Sequence, residues 1–146
     1  MSYDLTSHKI VGIISSKESA ATALNVMGHL GIALGAALDR DQIMGRASLE
    51  DASGTRHPGI ARFSFVTKSA RPSKLYQAIT AARADPTVHL FDYPRAMLET
   101  GHDDELAAAV LGTEEAELDY LGALIFGPAA AISEISGKFS LWRPPD

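Results

Sequence analysis

The sequence contains no cysteine. This absence excludes disulfide bonds and thiolate-based metal or redox chemistry, and it is compatible with a reducing compartment. The N-terminus lacks the basic region and the long apolar core of a signal peptide. No strongly apolar run reaches the roughly 18 residues of a membrane span, because glycines, Asn25 and His29 interrupt the longest one. We therefore predict a cytoplasmic protein that makes no contact with a membrane.

Positive charge is scarce and scattered. The chain has 13 lysines and arginines against 18 aspartates and glutamates, which gives a formal net charge of −5. Both features disfavour non-specific binding to nucleic acid or to an anionic membrane. Nucleic acid is therefore a disfavoured partner, but it is not excluded. A length of 146 residues predicts a single domain that spans residues 1–146.

Common catalytic and cofactor-binding motifs are also missing. There is no Gly-x-Ser-x-Gly motif for a nucleophile, and no two histidines have the i, i+4 spacing of a helical zinc site. Gly28, Gly31 and Gly35 lie inside a predicted helix, so they indicate close packing rather than a phosphate-binding loop. His102 and Asp103 could suggest metal ligands, but a turn in which Asp103 caps the following helix explains both residues. The sequence predicts neither a metal nor a cofactor.

The stretch that organises the chain is residues 9–38. Residues 10–14 are apolar and mostly β-branched, which is typical of a strand covered on both faces. Ser19 is a suitable N-cap for a helix over residues 20–38, a segment without proline that is rich in alanine and leucine.

This predicted helix is apolar almost all round, so it should be packed deeply. One broad face should carry its larger side chains, namely Leu24, Met27, Leu34 and Leu38. Each glycine beside that face costs about 1 kcal/mol of helix propensity relative to alanine. Close approach of another backbone would compensate for this cost.

One narrow polar stripe follows the same helix. Glu18, Thr22, Asn25 and His29 fall within a sector roughly 60° wide at about 100° per residue. The stripe can be a solvent-facing edge, with Asn25 and His29 hydrated or hydrogen-bonded. Alternatively, it can be the wall of a pocket, since a mostly buried helix has few other reasons to carry an amide and an imidazole together.

Strand and helix patterns alternate along the rest of the chain. Strand patterns cover residues 43–50, 62–68, 88–91, 121–126 and 138–142, and helical patterns cover residues 72–84, 104–111 and 129–136. This order predicts an α/β fold with helices on both faces of the sheet. The hairpin-like region 43–68 indicates a mixed rather than wholly parallel sheet.

Several segments together resemble one known family. They are residues 9–14, Leu24-Asn25-Val26, Thr100-Gly101-His102-Asp103 and residues 124–142. Over nearly its full length, the chain resembles the uncharacterised bacterial family called domain of unknown function 2000 (DUF2000). That family in turn resembles the type II peptidyl-tRNA hydrolases. The resemblance implies a three-layer α/β/α sandwich with a mixed sheet of about four main strands, and it suggests a homodimer.

The catalytic pattern of those hydrolases is largely missing here. If His29 matches their histidine, Thr22 and Val26 stand where the hydrolases have lysine and glutamine. Asp92 matches their aspartate after a middle strand, and Gly122 falls near their threonine. The resemblance therefore implies the fold without the inherited reaction, and whether the protein is an enzyme stays uncertain.

Two functions follow from these observations. The first is non-catalytic or regulatory binding of an unknown small molecule in a pocket between two walls. One wall is the polar stripe, and the other is the polar junction at residues 100–103, here called the Thr100 junction. The predicted site residues are Ser15, Ser16, Thr22, Asn25, His29, Thr100, His102 and Asp103. The alternative is a hydrolase that acts on peptidyl-tRNA or a related ester or amide, with His29 or Asp92 as the catalytic base.

Overall fold

The computed structural model describes residues 3–145. Its strands are β1 (Asp4–Ser15), β2 (Ser48–Glu50), β3 (Arg56–Pro58), β4 (Phe63–Ala70), β5 (His89–Pro94), β6 (Tyr120–Pro128) and β7 (Ser140–Leu141). Its helices are α1 (Ala20–Ala37), α2 (Arg40–Ile43), α3 (Pro72–Ala84), α4 (Ala96–Glu99), α5 (Asp103–Leu111) and α6 (Ala129–Ser136), with a 3₁₀ turn at Glu115–Glu117. The alternation of strands and helices confirms the predicted α/β class.

Five strands form one mixed sheet in the order β5-β6-β1-β4-β7. Among the described strands of this sheet, β1 and β4 are parallel neighbours and the other neighbours are antiparallel. The predicted number of about four strands is one short, because the two-residue β7 pairs with β4. β2 and β3 form a separate hairpin. The strand predicted for residues 43–50 is wrong in its first part, since Ile43 ends α2.

Side chains alternate along the central strand β1 between two apolar clusters. Ile10 and Ile14 pack with α1, whereas Val11 and Ile13 pack with α3 and α6. Each fully buried aliphatic side chain of this kind stabilises the fold by about 1.5–3 kcal/mol. Helices therefore lie on both faces of the sheet, as the apolar run of β1 predicts.

α1 approaches the sheet at two glycines of the strands. A Cβ added at Gly12 of β1 would lie 2.6 Å from Sδ of Met27, and one added at Gly122 of β6 would lie 3.0 Å from Cγ1 of Val26. By contrast, a Cβ added at any of the three glycines of α1 would meet nothing within 4 Å. The prediction that the helix glycines admit another backbone is therefore wrong, because the close approach uses glycines of the sheet.

α1 is only partly buried. Four of its 18 residues are buried, namely Ala23, Val26, Leu30 and Leu34. Leu24 is 70% exposed and Ile32 is 71% exposed. The prediction of a deeply packed helix with Leu24 on its packing face is wrong, because none of the described elements covers the outer side. α1 is also long enough and apolar enough to cross a membrane. This is weak evidence for a membrane span, because the core helices of other proteins meet the same criterion.

Candidate functional site

A cleft of about 410 Å³ opens between α1 and the segment that runs from β5 to α5. Five residues that the sequence singles out border it, namely His29, Asp92, Thr100, His102 and Asp103. Its apolar wall consists of Leu30, Ala33, Tyr93, Met97 and Leu106. The fold thus brings one residue of the helical polar stripe next to the Thr100 junction, 71 positions later in the chain.

His29 reaches the cleft from the middle of α1. The next residue, Leu30, is 2% exposed and fixes the helix on the core, so His29 is held at the rim. The imidazole of His29 lies 5.8 Å from the ring of Tyr93, measured between ring centres, at a tilt of 44°. Burial raises the pKa of the Tyr93 phenol above its usual value. The imidazole therefore faces a neutral aromatic wall at physiological pH.

The opposite wall is the junction between α4 and α5. The hydroxyl of Thr100 donates a hydrogen bond of 2.7 Å to the carbonyl oxygen of the first α4 residue. The amide of Gly101 donates to the carboxylate of Glu105 at 3.4 Å. His102 is the N-cap of α5 and Asp103 is its first residue, so the predicted Asp103 cap is wrong by one position. The Asp103 carboxylate instead interacts with the positive end of the helix dipole.

Asp92 borders the cleft, but its carboxylate is engaged elsewhere. Oδ2 of Asp92 lies 2.7 Å from Nη2 of Arg83, and this hydrogen bond raises the pKa of Arg83. Arg83 belongs to α3, on the face of the sheet opposite α1, so the charge of Asp92 is directed away from the cleft. Of the two candidate bases, His29 is the one whose titratable group lies at the cleft.

The lining of the cleft is acidic. Asp103 contributes a carboxylate, the carboxylate of Asp92 is paired with Arg83 away from the cleft, and none of the described lining residues is lysine or arginine. The first turn of α5 adds Asp104 and Glu105 beside Asp103. A phosphate group would find no cationic partner in this lining, whereas a neutral or positively charged group would meet no like charge.

A cluster of three charged residues holds the flank of the cleft. Arg95, between β5 and α4, donates from Nε to Oδ2 of Asp119 at 2.6 Å and from Nη2 to Oε1 of Glu18. Asp119 and Glu18 together raise the pKa of Arg95. The cluster ties the segment before α1 and the segment before β6 to the entrance of α4. Glu18, part of the predicted polar stripe, therefore has a structural partner.

A family model described as a protein of unknown function (DUF2000) matches residues 8–143. The chain belongs to the DUF2000 family. A solved structure of a protein of unknown function from Agrobacterium tumefaciens strain C58 is similar, with a TM-score of 0.83 and 16% sequence identity over 95% of this chain and 100% of that one. At this identity the similarity shows a shared fold. No curated protein matches the sequence.

Four predicted ligand-binding residues of this DUF2000 protein do not line the cleft. Ser15 is 2% exposed at the end of β1, and Ser16 lies in the turn that follows. The amide of Thr22 donates the N-cap hydrogen bond of α1 to Oγ of Ser19 at 3.2 Å. Asn25 is exposed one turn before His29. The structure therefore divides the predicted polar stripe among several roles.

Sequence reasoning missed the apolar wall of the cleft in this DUF2000 protein. Tyr93, Met97 and Leu106 carry no signal that separates a pocket wall from an ordinary core position. The alternation of β5, which directs Tyr93 towards the α1 side and Asp92 towards α3, is the one pattern that could have placed Tyr93 there. Within residues 3–145, no group of three or more histidine, aspartate or glutamate side chains could hold a metal ion.

Proposed function

We propose that the cleft beside α1 binds a small neutral or cationic ligand and catalyses no reaction on it. The observation that supports this is the composition of the lining, in which His29, Thr100, His102 and Asp103 border an apolar wall without any lysine or arginine among the described lining residues. A volume of about 410 Å³ lies within the range of about 300–1,000 Å³ that is usual for small-molecule sites.

The two parts of the lining define the chemistry of the ligand. The apolar wall, which includes Tyr93, Met97 and Leu106, suits a compact apolar body. Met97 is 38% exposed, and its flexible thioether can adapt to the shape of such a body. The carboxylate of Asp103 and the imidazole of His29 suit a hydrogen-bonding or positively charged group. We therefore expect small amines and their neutral analogues to bind.

A hydrolase that acts on peptidyl-tRNA or a related ester or amide is the alternative. We infer that the fold is a three-layer α/β/α sandwich of the peptidyl-tRNA hydrolase II-like kind, which helices on both faces of a mixed sheet support. In that reaction His29 would be the base. Thr22 and Val26 offer no substitute for a lysine and a glutamine, and the cleft lining lacks a cation for RNA phosphates. Binding without catalysis is therefore the first proposal.

The experiment is a thermal-shift screen of small amines, matched amides and matched carboxylates. We expect at least one amine or amide to stabilise the native protein, and His29→Ala or Asp103→Asn to remove most of that stabilisation. Asn25→Ala is the matched control, because Asn25 is exposed on the same helix and does not line the cleft. It should respond like the native protein.

Three outcomes would contradict the proposal. A screen in which no amine or amide stabilises the protein would remove it. Equal stabilisation by the carboxylates would show that the charge argument is wrong. Full stabilisation of the His29→Ala variant would place binding elsewhere. Peptidyl-tRNA turnover that His29→Ala abolishes and Asn25→Ala preserves would instead favour the hydrolase.

We also propose that the protein is a homodimer, as its resemblance suggests, and that it is cytoplasmic, which the absence of cysteine supports. The outer side of α1 supports contact with a second copy, because α1 contains no lysine, arginine, aspartate or glutamate. Two copies can therefore pack there without placing like-charged side chains of α1 against each other. The helix is also symmetric about Gly28, with Leu24 one turn before it and Ile32 one turn after it. In an antiparallel pair, Leu24 of one copy would meet Ile32 of the other.

Sedimentation equilibrium tests the dimer. Ile32→Lys should yield a folded monomer, since a charge would replace an apolar contact in each copy. Arg40→Lys, just after α1, is a control that should leave the assembly unchanged. A native protein that is monomeric at high micromolar concentration would contradict the proposal.

A further inference from the structure

A second and larger cavity lies on the other face of the sheet. It is a groove of about 800 Å³ between α3 and α6. None of the site residues predicted from the sequence lines this groove, and the cleft beside α1 shares no lining residue with it. Its charge and its shape point to a different ligand.

Three cations meet at one end of the groove. Arg71 precedes α3, Lys74 lies in the first turn of α3, and Lys138 follows α6. The sheet brings these segments together, because Ser69 of β4 pairs with Ser140 of β7. Arg71 and Lys138 are therefore each two residues from the same strand pair. The convergence is a product of the fold and cannot be read from local sequence.

These three cations have no anionic partner among the described residues. None of Arg71, Lys74 and Lys138 has a carboxylate oxygen within 4.0 Å, whereas Arg83 and Arg95 each form ion pairs. Gathering like charges at one place costs free energy unless a negative group lies between them. An external anion would supply such a group.

The N-terminus of α3 adds to this positive end. Its first turn contains no acidic residue, and the N-cap residue Arg71 makes no side-chain capping hydrogen bond. The partial positive charge of the 13-residue helix therefore remains available beside Lys74. α5 differs, since its first turn carries three carboxylates of its own.

Beyond the cations, the groove is long and lined mainly by small and apolar side chains, with Gln77 and the carboxylate of Glu134 among them. Glu134 forms no ion pair with the three cations. Ala78 and Ala81 of α3 face Ala131 and Ile135 of α6 across it. From the cationic end to Asp85, α3 runs for about 20 Å at 1.5 Å per residue. The Asp85 carboxylate makes this far end negative at physiological pH. Hydrogen bonds from Thr87 hold its pKa below the usual value.

We propose that this groove binds an amphipathic anion. Its carboxylate or phosphate head lies among Arg71, Lys74 and Lys138, and its apolar body lies along the alanines of α3 and α6. The order of charges along the groove sets the direction of the ligand, because the Asp85 end repels an anionic head. This site does not depend on the function proposed for the cleft beside α1.

NMR titration of the backbone amides with octyl phosphate, below its critical micelle concentration, tests the proposal. We expect shifts in α3 and α6 that weaken as salt is added. Octylamine should produce no such shifts, and inorganic phosphate should bind more weakly than octyl phosphate because it lacks the apolar body. Octanoate binding would assign a carboxylate head, and its failure beside octyl phosphate would assign a phosphate head.

Charge reversal at the cationic end provides the matched variants. Arg71→Glu combined with Lys138→Glu should weaken octyl phosphate binding about tenfold or more. Arg40→Glu changes the charge near the other end of the sheet and should leave binding within about twofold. Circular dichroism checks that each variant is folded, and Lys74→Gln with Lys138→Gln repeats the test if charge reversal unfolds the chain.

Four results would overturn the proposal. The absence of octyl phosphate shifts in α3 and α6 would remove the site. Equal shifts with octylamine would show adhesion of the alkyl chain alone. Equal affinity for inorganic phosphate would show that the alanines contribute nothing. A loss with Arg40→Glu as large as that of the double reversal would show a long-range effect of net charge and no local site.

Discussion

The cleft beside α1 and the groove between α3 and α6 lie on opposite faces of one sheet and carry opposite charge. The cleft has Asp103 at the start of α5 and no lining cation among the described residues, whereas the groove has Arg71 and Lys74 at the start of α3. The difference comes from helix ends, because α5 begins with three carboxylates and α3 with none. Residues at helix ends can thus select opposite ligands over one shared framework.

The two faces also differ in how completely their helices are covered. α3 buries Leu75, Ala78, Ile79 and Ala82 and is polar over much of its remaining surface. α1 buries one stripe of comparable size but has an outer side that is apolar and open. The same sheet therefore carries one ordinary amphipathic helix and one helix whose outer side has no partner among the described elements.

The largest expected effect comes from removing one leucine from each face. Leu30→Ala on the cleft side and Leu75→Ala on the groove side should each lower the free energy of unfolding by about 2–5 kcal/mol. Both side chains are at most 2% exposed, so each truncation leaves a cavity in a packed cluster. Urea denaturation of the two variants measures both losses.

Leu24→Ala is the control for that pair, since Leu24 belongs to the same helix as Leu30 and is 70% exposed. At protein concentrations low enough for the chain to be monomeric, it should change the stability by no more than about 0.5 kcal/mol. A loss for Leu24→Ala as large as that for Leu30→Ala would mean that the outer side of α1 is covered. If that loss depended on protein concentration, the cover would be a second copy.

A smaller effect is expected from the charged cluster at the flank of the cleft. Arg95→Ala breaks two charge-assisted hydrogen bonds, to Asp119 and to Glu18, and should cost about 1 kcal/mol. Arg56→Ala is the control, because its nearest carboxylate oxygen, on Glu50, lies 4.0 Å away and both side chains are mostly exposed. It should be neutral within about 0.5 kcal/mol.

Chemical denaturation of these two variants sharpens the comparison of the faces. Arg95→Ala should also loosen the cleft and lower the affinity of any ligand that binds there, while the affinity of the groove for octyl phosphate stays unchanged. An Arg95→Ala variant as stable as Arg56→Ala would show that the cluster contributes no net stability. In that case the flank of the cleft would be held by apolar packing alone.

Local patterns predicted much of the fold. The β-branched run of β1 indicated a strand covered on both faces, and the predicted strands at residues 62–68, 88–91 and 121–126 lie within or overlap β4, β5 and β6. The structure confirms the helix predicted over residues 72–84, because Pro72 marks its start and Asp85-Pro86 marks its end. Such signals depend on a few neighbouring residues, so they can be read from the sequence without knowledge of the tertiary fold.

The prediction failed where the answer depended on contacts between distant segments. An apolar helix normally indicates burial. The sequence of α1 carries no sign that Leu24 and Ile32 would be left uncovered by the described elements. Likewise, His29 and Asp103 could be suspected of sharing a site, yet their meeting depends on where α5 packs. The partners Glu18 and Arg95 are 77 residues apart and show no local pattern.

The smallest expected effect concerns the one carboxylate at the far end of the groove. Asp85 accepts hydrogen bonds from the side chain and the amide of Thr87, and these hold its pKa below the usual 3.8. A lowered pKa in the folded state means that the contribution to stability is complete above pH 3.8 and is lost as the pH falls through the lowered value. Thr87→Val should move the pKa of Asp85 back towards 3.8, because the largest of its causes is removed.

Carbon-detected NMR of the Asp85 carboxyl group during acid titration measures this change. Thr80→Val is the control, since the Thr80 hydroxyl donates to the carbonyl oxygen of Tyr76 within α3 and not to Asp85. The stability difference between the native protein and Thr87→Val should shrink as the pH falls below 3.8 and Asp85 becomes protonated in both. An unshifted Asp85 in the native protein would show that Thr87 does not stabilise the carboxylate, although Asp85 would remain negative at physiological pH.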